Sequence, residues 1–378
     1  MKICLIEPFH TGSHAAWAEE YARCSRHQVE LLTLNGRHWK WRMHGGAVTL
    51  ARKYLASGWN PDLLLVSDML DLTTFLALTR SRSASLPTAL YFHENQLTYP
   101  WSPTDADPVQ RRDAHYAFIN YTSALAADVV LFNSRYHLEA FARELPAFLR
   151  SFPDQNELGS LALLAAKSSV LPLGLDLRRL DQHRPAPPAP LAPPLILWNH
   201  RWEYDKGPEE FFAALYRLQE EGLPFEVAIL GESYRQIPPV FAEGQQRLGK
   251  RIVQFGYASD FADYARWLWR ADILPVTSRH DFFGASVVQA IYCHCTPLLP
   301  RRLAYPEHLP TPLQERFLYD GFDDLLARLR QLLRDPRPQT EGLHAHVARY
   351  DWGELVARYD DLFAQIGRAG RTFSGGIG

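Results

Sequence analysis

A chain of 378 residues with 40 Lys+Arg against 42 Asp+Glu, formal net charge −2, has no overall positive field to draw in nucleic acid; such a partner would need a local basic patch. With 47% hydrophobic and 22% charged residues, the composition is that of a globular protein too long for one core and suited to two domains. The scattered cysteines, Cys4, Cys24, Cys293 and Cys295, form neither a disulfide framework nor paired zinc knuckles.

The opening MKICLIEPF reads as a buried strand rather than a signal peptide, and no apolar run reaches the ~18 residues of a membrane helix. A soluble, reduced, cytoplasmic protein with no membrane partner is expected. Along the chain, KICLIEP, QVELLTL, DLLLVSD, TALYFHE and DVVLFNS have the length and composition of buried strands, and amphipathic stretches such as HAAWAEEYARC and RRDAHYAFINYTSALAA separate several of them. That alternation predicts a parallel sheet covered by helices on both faces, a first domain over residues 1–180. Proline dominates QHRPAPPAPLAPP, so residues 181–194 read as a linker in which neither a helix nor a central strand persists. A second set follows, LILWNHR, FEVAILGE, RIVQFGY, DILPVTS and TPLLP, which predicts a second domain over 195–340. Residues 341–367, with Leu343, Val347, Leu355 and Leu362 at helical spacing, are expected to pack back across the junction as one or two helices, and the glycine-rich end, 368–378, to be disordered. Two doubly wound halves of this kind place ligands at the carboxyl ends of their strands, in a crevice between domains.

Several stretches carry residue types suited to chemistry. EPFHTGSHAAW sets Thr11, Gly12, Ser13 and His14 between a strand end and a helix start, where backbone N–H groups favour an anion; Ser13 also suits an ordinary N-cap. No Walker lysine follows, which excludes a P-loop kinase. NGRHWKWRMHGGA interleaves Arg37, Lys40 and Arg42 with Trp39 and Trp41, cations for phosphates and flat rings for bases, the ingredients of a looped-RNA contact; a solvated turn with one buried Trp is the alternative. Arg111 and Arg112 extend that patch. In FHENQ, His93 ends a strand with Glu94 and Asn95 beside it. In WNHRWEYDKGPEEF, the fork of Arg201 and the point charge of Lys206 suit a diphosphate held while it leaves. Asp281 lies three residues before Gly284 and eight before Gln289, so N–H groups of Gly284 and Ala285 would face a phosphate and Gln289 a ribose hydroxyl. No carboxylate pair stands out as an acid/base couple.

HRWEYDKGPEEF and HDFFGASVVQAIYCHCTPLLP resemble the retaining GT-B glycosyltransferases of the glycogen-synthase-like superfamily, whose fingerprint is a Glu, then Phe-Gly, then a second Glu eight residues after the first; here Asp281 and Gln289 replace both. IEPFHTGSHAAW, HWKWRMHGGA, YFHENQLTYP, NYTSALAADVVLFNSRYH and RLAYPE together resemble the tRNA-queuosine α-mannosyltransferase family, over nearly the whole chain to about residue 310. The resemblance implies an α/β GT-B fold, two Rossmann-like doubly wound domains facing across a cleft. It implies transfer of mannose from GDP-mannose, with retention and without a metal or other cofactor, onto the cyclopentenediol of queuosine in tRNA, with tRNA-Asp expected.

Carried over by residue, Arg201 and Lys206 hold the diphosphate, and Gly12 and Ser13 approach it from the other domain. Asp281, Phe283, Gly284 and Ala285 meet sugar and phosphate, Gln289 the ribose, and the loop from Phe255 to Tyr257 frames the base. His93 contacts the donor sugar, while Arg37 to Arg42, Glu94, Asn95, Arg111 and Arg112 face the acceptor. The motifs leave open the nucleobase, the sugar and the oligomeric state. Two other readings stay open: a glycosyltransferase using another nucleotide sugar on a small molecule or lipid, and a tRNA-binding module that has lost turnover, motivated by Asp281 and Gln289.

Overall fold

The computed structural model describes residues 1–102, 105–108, 114–185, 192–232, 237–334, 340 and 342–374, the backbone alone for 369–374. The chain divides into two compact units, one of residues 1–175 with 352–378 and one of residues 176–351. In the first, β1 (Lys2–His10), β2 (Gln28–Asn35), β3 (Leu63–Ser67), β4 (Thr88–Phe92), β5 (Val129–Phe132) and β6 (Ser168–Val170) form a sheet of order β2-β1-β3-β4-β5-β6, with every pairing parallel. In the second, β7 (Leu195–Asn199), β8 (Glu226–Leu230), β9 (Ile252–Gly256), β10 (Ile273–Pro275), β11 (Thr296–Pro300) and β12 (Leu318–Tyr319) form a parallel sheet of order β12-β11-β10-β7-β8-β9.

Both sheets carry helices on their faces, which is why β3, β4, β7 and β11 are buried along their whole lengths and read as unbroken apolar runs. Ile6, Leu64, Val66, Leu90, Phe92, Phe132 and the helical Leu50, Phe75 and Phe141 make the core of unit 1. Ile196, Trp198, Phe211, Phe212, Ile229, Phe241 and Leu329 make that of unit 2. Asp71, Ser134 and Asp260 start their helices by accepting the N–H groups of Thr74, His137 and Asp263 at 3.0, 3.0 and 2.8 Å. Strand order reverses beside β1 in unit 1 and beside β7 in unit 2, and in open α/β sheets such switch points open a crevice at the carboxyl ends.

The domain boundaries expected from sequence need correction. The chain passes between units at Leu175/Asp176 and again at Asp351/Trp352, not at the proline-rich stretch, of which residues 186–191 lie outside the described residues. Proline content marks where regular structure stops, whereas compact units are set by packing. The tail also splits: the helix Leu343–Ala348 belongs to unit 2, and the helix Trp352–Ser374 belongs to unit 1. That last helix runs through most of the stretch expected to be disordered, and residues 375–378 lie outside the described residues.

The buried carboxylate of Asp360 explains the allegiance of the last helix. It accepts Tyr21 Oη at 3.0 Å, Ser25 Oγ at 2.6 Å and the Arg26 N–H at 2.9 Å, satisfying a charge that could not be buried alone. Among the described residues, no helix is long and apolar enough to cross a membrane.

Candidate functional site

In unit 2 the loop after β7 turns back through the short helix Tyr204–Lys206 to Gly207, whose φ of +66° and lack of Cβ are both needed: an added Cβ would lie 2.4 Å from the Thr277 carbonyl oxygen. The turn buries Lys206 to 6% exposure. Its Nζ donates to the His280 carbonyl at 2.8 Å and lies 3.2 Å from Asp205 and 3.3 Å from Asp281. Tyr305 Oη donates to the same Asp281 oxygen at 2.7 Å. Burial alone would raise the Asp281 carboxyl, but the Lys206 charge, His200, the Tyr305 hydrogen bond and His280 together outweigh it and hold the group below the usual carboxylate range. Burial pushes His200 and His280 down to about 4, so both rings are neutral at pH 7.

Arg201 is more open, 41% exposed at the side chain and 3.2 Å from Glu203. Gly284, at φ +88°, caps the helix Ala285–Tyr292. Asn199 Nδ2 donates to the Ser286 carbonyl at 2.8 Å, and Ser286 Oγ meets His200 Nδ1 at 3.2 Å, so the end of β7 and the start of that helix are stitched together. Free N–H groups at the helix start, the Arg201 fork and the Lys206 ammonium therefore share one end of one sheet, an arrangement that suits a phosphate-bearing ligand. On the same helix Gln289 Oε1 accepts Tyr264 Oη at 2.8 Å, which leaves its NH₂ as a donor where a carboxylate would offer only acceptors. Tyr257, just past β9, is 73% exposed. The Phe283 ring, expected to meet the donor, is instead buried against His308 and Tyr350, and its backbone carbonyl meets His308 Nε2 at 2.6 Å.

In unit 1 the polar groups gather at the carboxyl ends of β1, β3 and β4. Thr11, not Ser13, is the N-cap of the helix Gly12–Cys24, without a side-chain bond, and Gly12 and Ser13 stand exposed in its first turn. Glu7, fully buried, accepts the Phe9 N–H at 2.7 Å and faces His14 Nδ1 at 3.0 Å. The His14 and His93 rings lie 4.3 Å apart. Asp68 Oδ1 accepts the His93 N–H at 2.7 Å, and Asn133 Nδ2 donates to the His93 carbonyl at 2.9 Å. Burial opposes charge on His14, yet the Glu7 carboxylate outweighs it and pushes the ring up to about 9. Burial drives His93 well below its ordinary value, with the neighbouring His14 and His137 adding to the effect. Burial likewise lifts the Asp68 carboxyl well above the usual range, against the pull of His14. Glu7, His14 and His93 offer ligand atoms within 4.8 Å of one another. Each Glu7 oxygen meets one of these partners, Phe9 or His14, and the pair packs on the His93 ring.

Residues 2–175 match the family model described as tRNA-queuosine alpha-mannosyltransferase N-terminal. A tRNA-queuosine alpha-mannosyltransferase from Drosophila melanogaster is 32% identical over 373 residues, 96% of this chain and 96% of its own. The chain belongs to the tRNA-queuosine alpha-mannosyltransferase family. Among solved structures, the sucrose-phosphate synthase of Thermosynechococcus elongatus superposes with a TM-score of 0.71 at 15% identity, covering 98% of this chain and 100% of that one. A UDP-forming trehalose-phosphate synthase from Burkholderia xenovorans gives 0.65 at 13% identity, covering 97% and 98%. These likenesses show the fold, an α/β glycosyltransferase architecture of the GT-B class with two doubly wound sheets.

The family's expected acceptor residues fare unevenly. Trp41 is 64% exposed and Arg37 is exposed beside it, whereas Arg42 donates its Nε–H to the Asn35 carbonyl at 3.0 Å. Lys40 is tied to Asp105 at 2.7 Å and Asp107 at 2.5 Å, next to the ring of Trp101, and Trp39 packs half-buried on Tyr116. Glu94 is half-buried and accepts Gln96 Nε2 at 2.9 Å, and Asn95 is fully buried, its Oδ1 accepting the Thr98 N–H at 2.9 Å, a turn-forming task in place of a surface contact. Arg111 and Arg112 lie outside the described residues. Sequence reasoning passed over Glu7, Asp68, Asp205, Tyr264 and Tyr305, and placed His14 only at an anion-favouring helix start. Glu7 and Asp68 had left one signal, a carboxylate at the end of an otherwise apolar strand.

Proposed function

We propose that this protein transfers mannose from GDP-mannose, with retention, to the cyclopentenediol of queuosine in a cytoplasmic tRNA, tRNA-Asp being the expected acceptor. The observation that carries the reading is the relationship of almost the full chain to a tRNA-queuosine alpha-mannosyltransferase, combined with Arg201, Lys206 and the helix start at Gly284 at one sheet end.

In this mechanism the departing diphosphate is stabilised by Arg201 and Lys206 and takes the acceptor proton as the new bond forms on the same face of the sugar. His93, neutral and buried, offers its ring to a sugar hydroxyl. Asp281, fixed by Lys206 and Tyr305, stands where a sugar hydroxyl or phosphate approaches the helix start. Gln289 presents its NH₂ to a ribose oxygen, and Tyr257 stacks on the base. The transfer is read as metal-independent; Asp105-Ala106-Asp107 has the spacing of a diphosphate-metal motif but commits both carboxylates to Lys40. Trp41 and Arg37 contact the tRNA by stacking and phosphate pairing.

The test is incubation of the purified protein with queuosine-containing tRNA and, separately, GDP-mannose, UDP-galactose and UDP-glucose, followed by nucleoside mass spectrometry. The expected outcome is a hexose on queuosine with GDP-mannose alone. A hexose from another donor overturns the donor, and unmodified queuosine with every donor, despite demonstrated nucleotide binding, overturns the acceptor.

A further inference from the structure

We propose that Glu7 and His14 are a positioning pair for His93: Glu7 fixes the ring and proton of His14, and His14 seats His93 with its Nε2 facing substrate. The proposal rests on the reading of His93 as a sugar-contacting residue.

Glu7 is a carboxylate with no solvent exposure on a sheet strand, a position that is tolerable only with fixed partners. It has two, the Phe9 N–H at 2.7 Å and His14 Nδ1 at 3.0 Å, one for each oxygen. The His14 ring then lies 4.3 Å from that of His93, and the Trp17 ring meets His93 edge-on at 4.6 Å while stacking on Tyr91 at 4.7 Å. Two imidazoles this close in a dry site do not both carry charge. Glu7 therefore decides which one does, and His93 is left neutral.

The charged and titratable groups facing the two rings agree. His14 faces Glu7 from β1, Asp68 beyond β3 and Glu94 beyond β4. His93 faces His14, His137 from the helix Arg135–Arg150, and the Tyr91 ring on β4.

The backbone of His93 is pinned from both sides, its N–H by Asp68 and its carbonyl by Asn133. Yet His93 Nε2 is buried and has no hydrogen-bond partner among the described residues. An unpaired buried nitrogen on an otherwise immobilised ring reads as a position completed by ligand. A neutral ring can exchange a hydrogen bond with a hydroxyl, whereas an imidazolium would oppose the positive charge that develops on the sugar ring as the diphosphate departs.

The experiment uses the full-length chain labelled with ¹⁵N-histidine, without donor or tRNA, with His14 and His93 signals assigned through His14→Gln and His93→Gln. In wild type His14 is expected to stay doubly protonated through about pH 8 while His93 stays neutral well below the ordinary imidazole value. In Glu7→Gln, His14 is expected to titrate at or below its ordinary value. In the transfer assay His14→Gln is expected to lower kcat about tenfold and to leave donor KM within about twofold, with the acidic limb of the pH profile displaced.

A wild-type His93 that titrates near 6.5, stoichiometric zinc in the purified protein, or a folded His14→Gln with wild-type kcat and pH profile overturns the pair. If Glu7→Gln does not fold by circular dichroism, wild type and His14→Gln carry the test through the His93 titration, kcat and the pH profile. Absence of transfer by wild type itself would overturn the sugar-transfer reading, while the imidazole spectra still decide whether Glu7 governs the two rings.

Discussion

Arg201 and Lys206 look alike in the sequence, two cations in one loop, but their physical situations differ and so should their variants. Arg201→Ala removes an open side chain whose ion pair with Glu203 is solvated, so stability should change by no more than about 0.5 kcal/mol while nucleotide-sugar binding is lost. Lys206→Ala strands Asp205 and Asp281 without their counter-charge, and should cost about 3–5 kcal/mol in addition to activity. Thermal melts beside donor titrations separate the two; equal destabilisation would contradict the assignment. The same contrast applies at the helix Trp39–Ala56, proposed above to meet the tRNA. Trp41→Ala should weaken tRNA binding by the ~1–3 kcal/mol of one stacked base, read by filter binding, whereas Lys40→Ala, which loosens the Asp105 and Asp107 contacts, should change tRNA affinity far less. Positions that follow from local sequence were legible: Arg201, Lys206 and Gly284 sit at a strand end, a turn and a helix start that can be read within a dozen residues. Asp68 was not, since its hold on the His93 N–H arises only when β3 and β4 lie side by side, and Glu7 and His14, though seven residues apart, carry no local mark that a carboxylate within a strand meets the helix that follows. Lys40 was misread because its partners, Asp105 and Asp107, lie over sixty residues away.

At the level of elements, periodicity gave the helices and strands but could not say which unit each helix would join. Amphipathic residues in the tail announced helices, yet one stays with unit 2 while the next belongs to unit 1, because Asp360, Tyr359 and Phe363 find complementary groups on unit 1, at Tyr21, Ser25, Arg26 and Tyr91. Asp360→Ala should therefore loosen the last helix, leaving the Tyr21 hydroxyl and the Arg26 N–H without their acceptor and costing about 2–3 kcal/mol. Hydrogen exchange should show the loss concentrated in residues 352–374 and in the first helix; uniform loss of protection across unit 1 would show that the contact is not local. The parallel sheets were foreseeable for a simpler reason. Strands covered on both faces need apolar residues at every position, and that pattern survives in sequence without knowledge of the neighbours.

For the molecule as a whole, buried imidazoles set opposite limits on stability. His200, His280 and His308 have folded values of about 4 against an ordinary 6.5, because burial disfavours their charged forms. Their unfolded forms take up protons first, so stability is lost as pH falls from about 6.5 towards 4. His14, held up to about 9, acts in the other sense: its contribution is complete below 6.5 and disappears as pH rises through 9. Urea midpoints measured from pH 4 to 9.5 should peak near neutrality and fall on both sides; a steady rise to pH 9 would show that His14 is not held by Glu7. The order in which the chain is synthesised adds a different constraint. All six strands of unit 1 leave the ribosome early, but the surface around Trp17, Tyr21 and Tyr91 that the last helix covers stays bare until residues 352–374 emerge. The intervening 176 residues must therefore be made while their predecessor waits unfinished, so premature termination would release an adhesive intermediate instead of a half-enzyme.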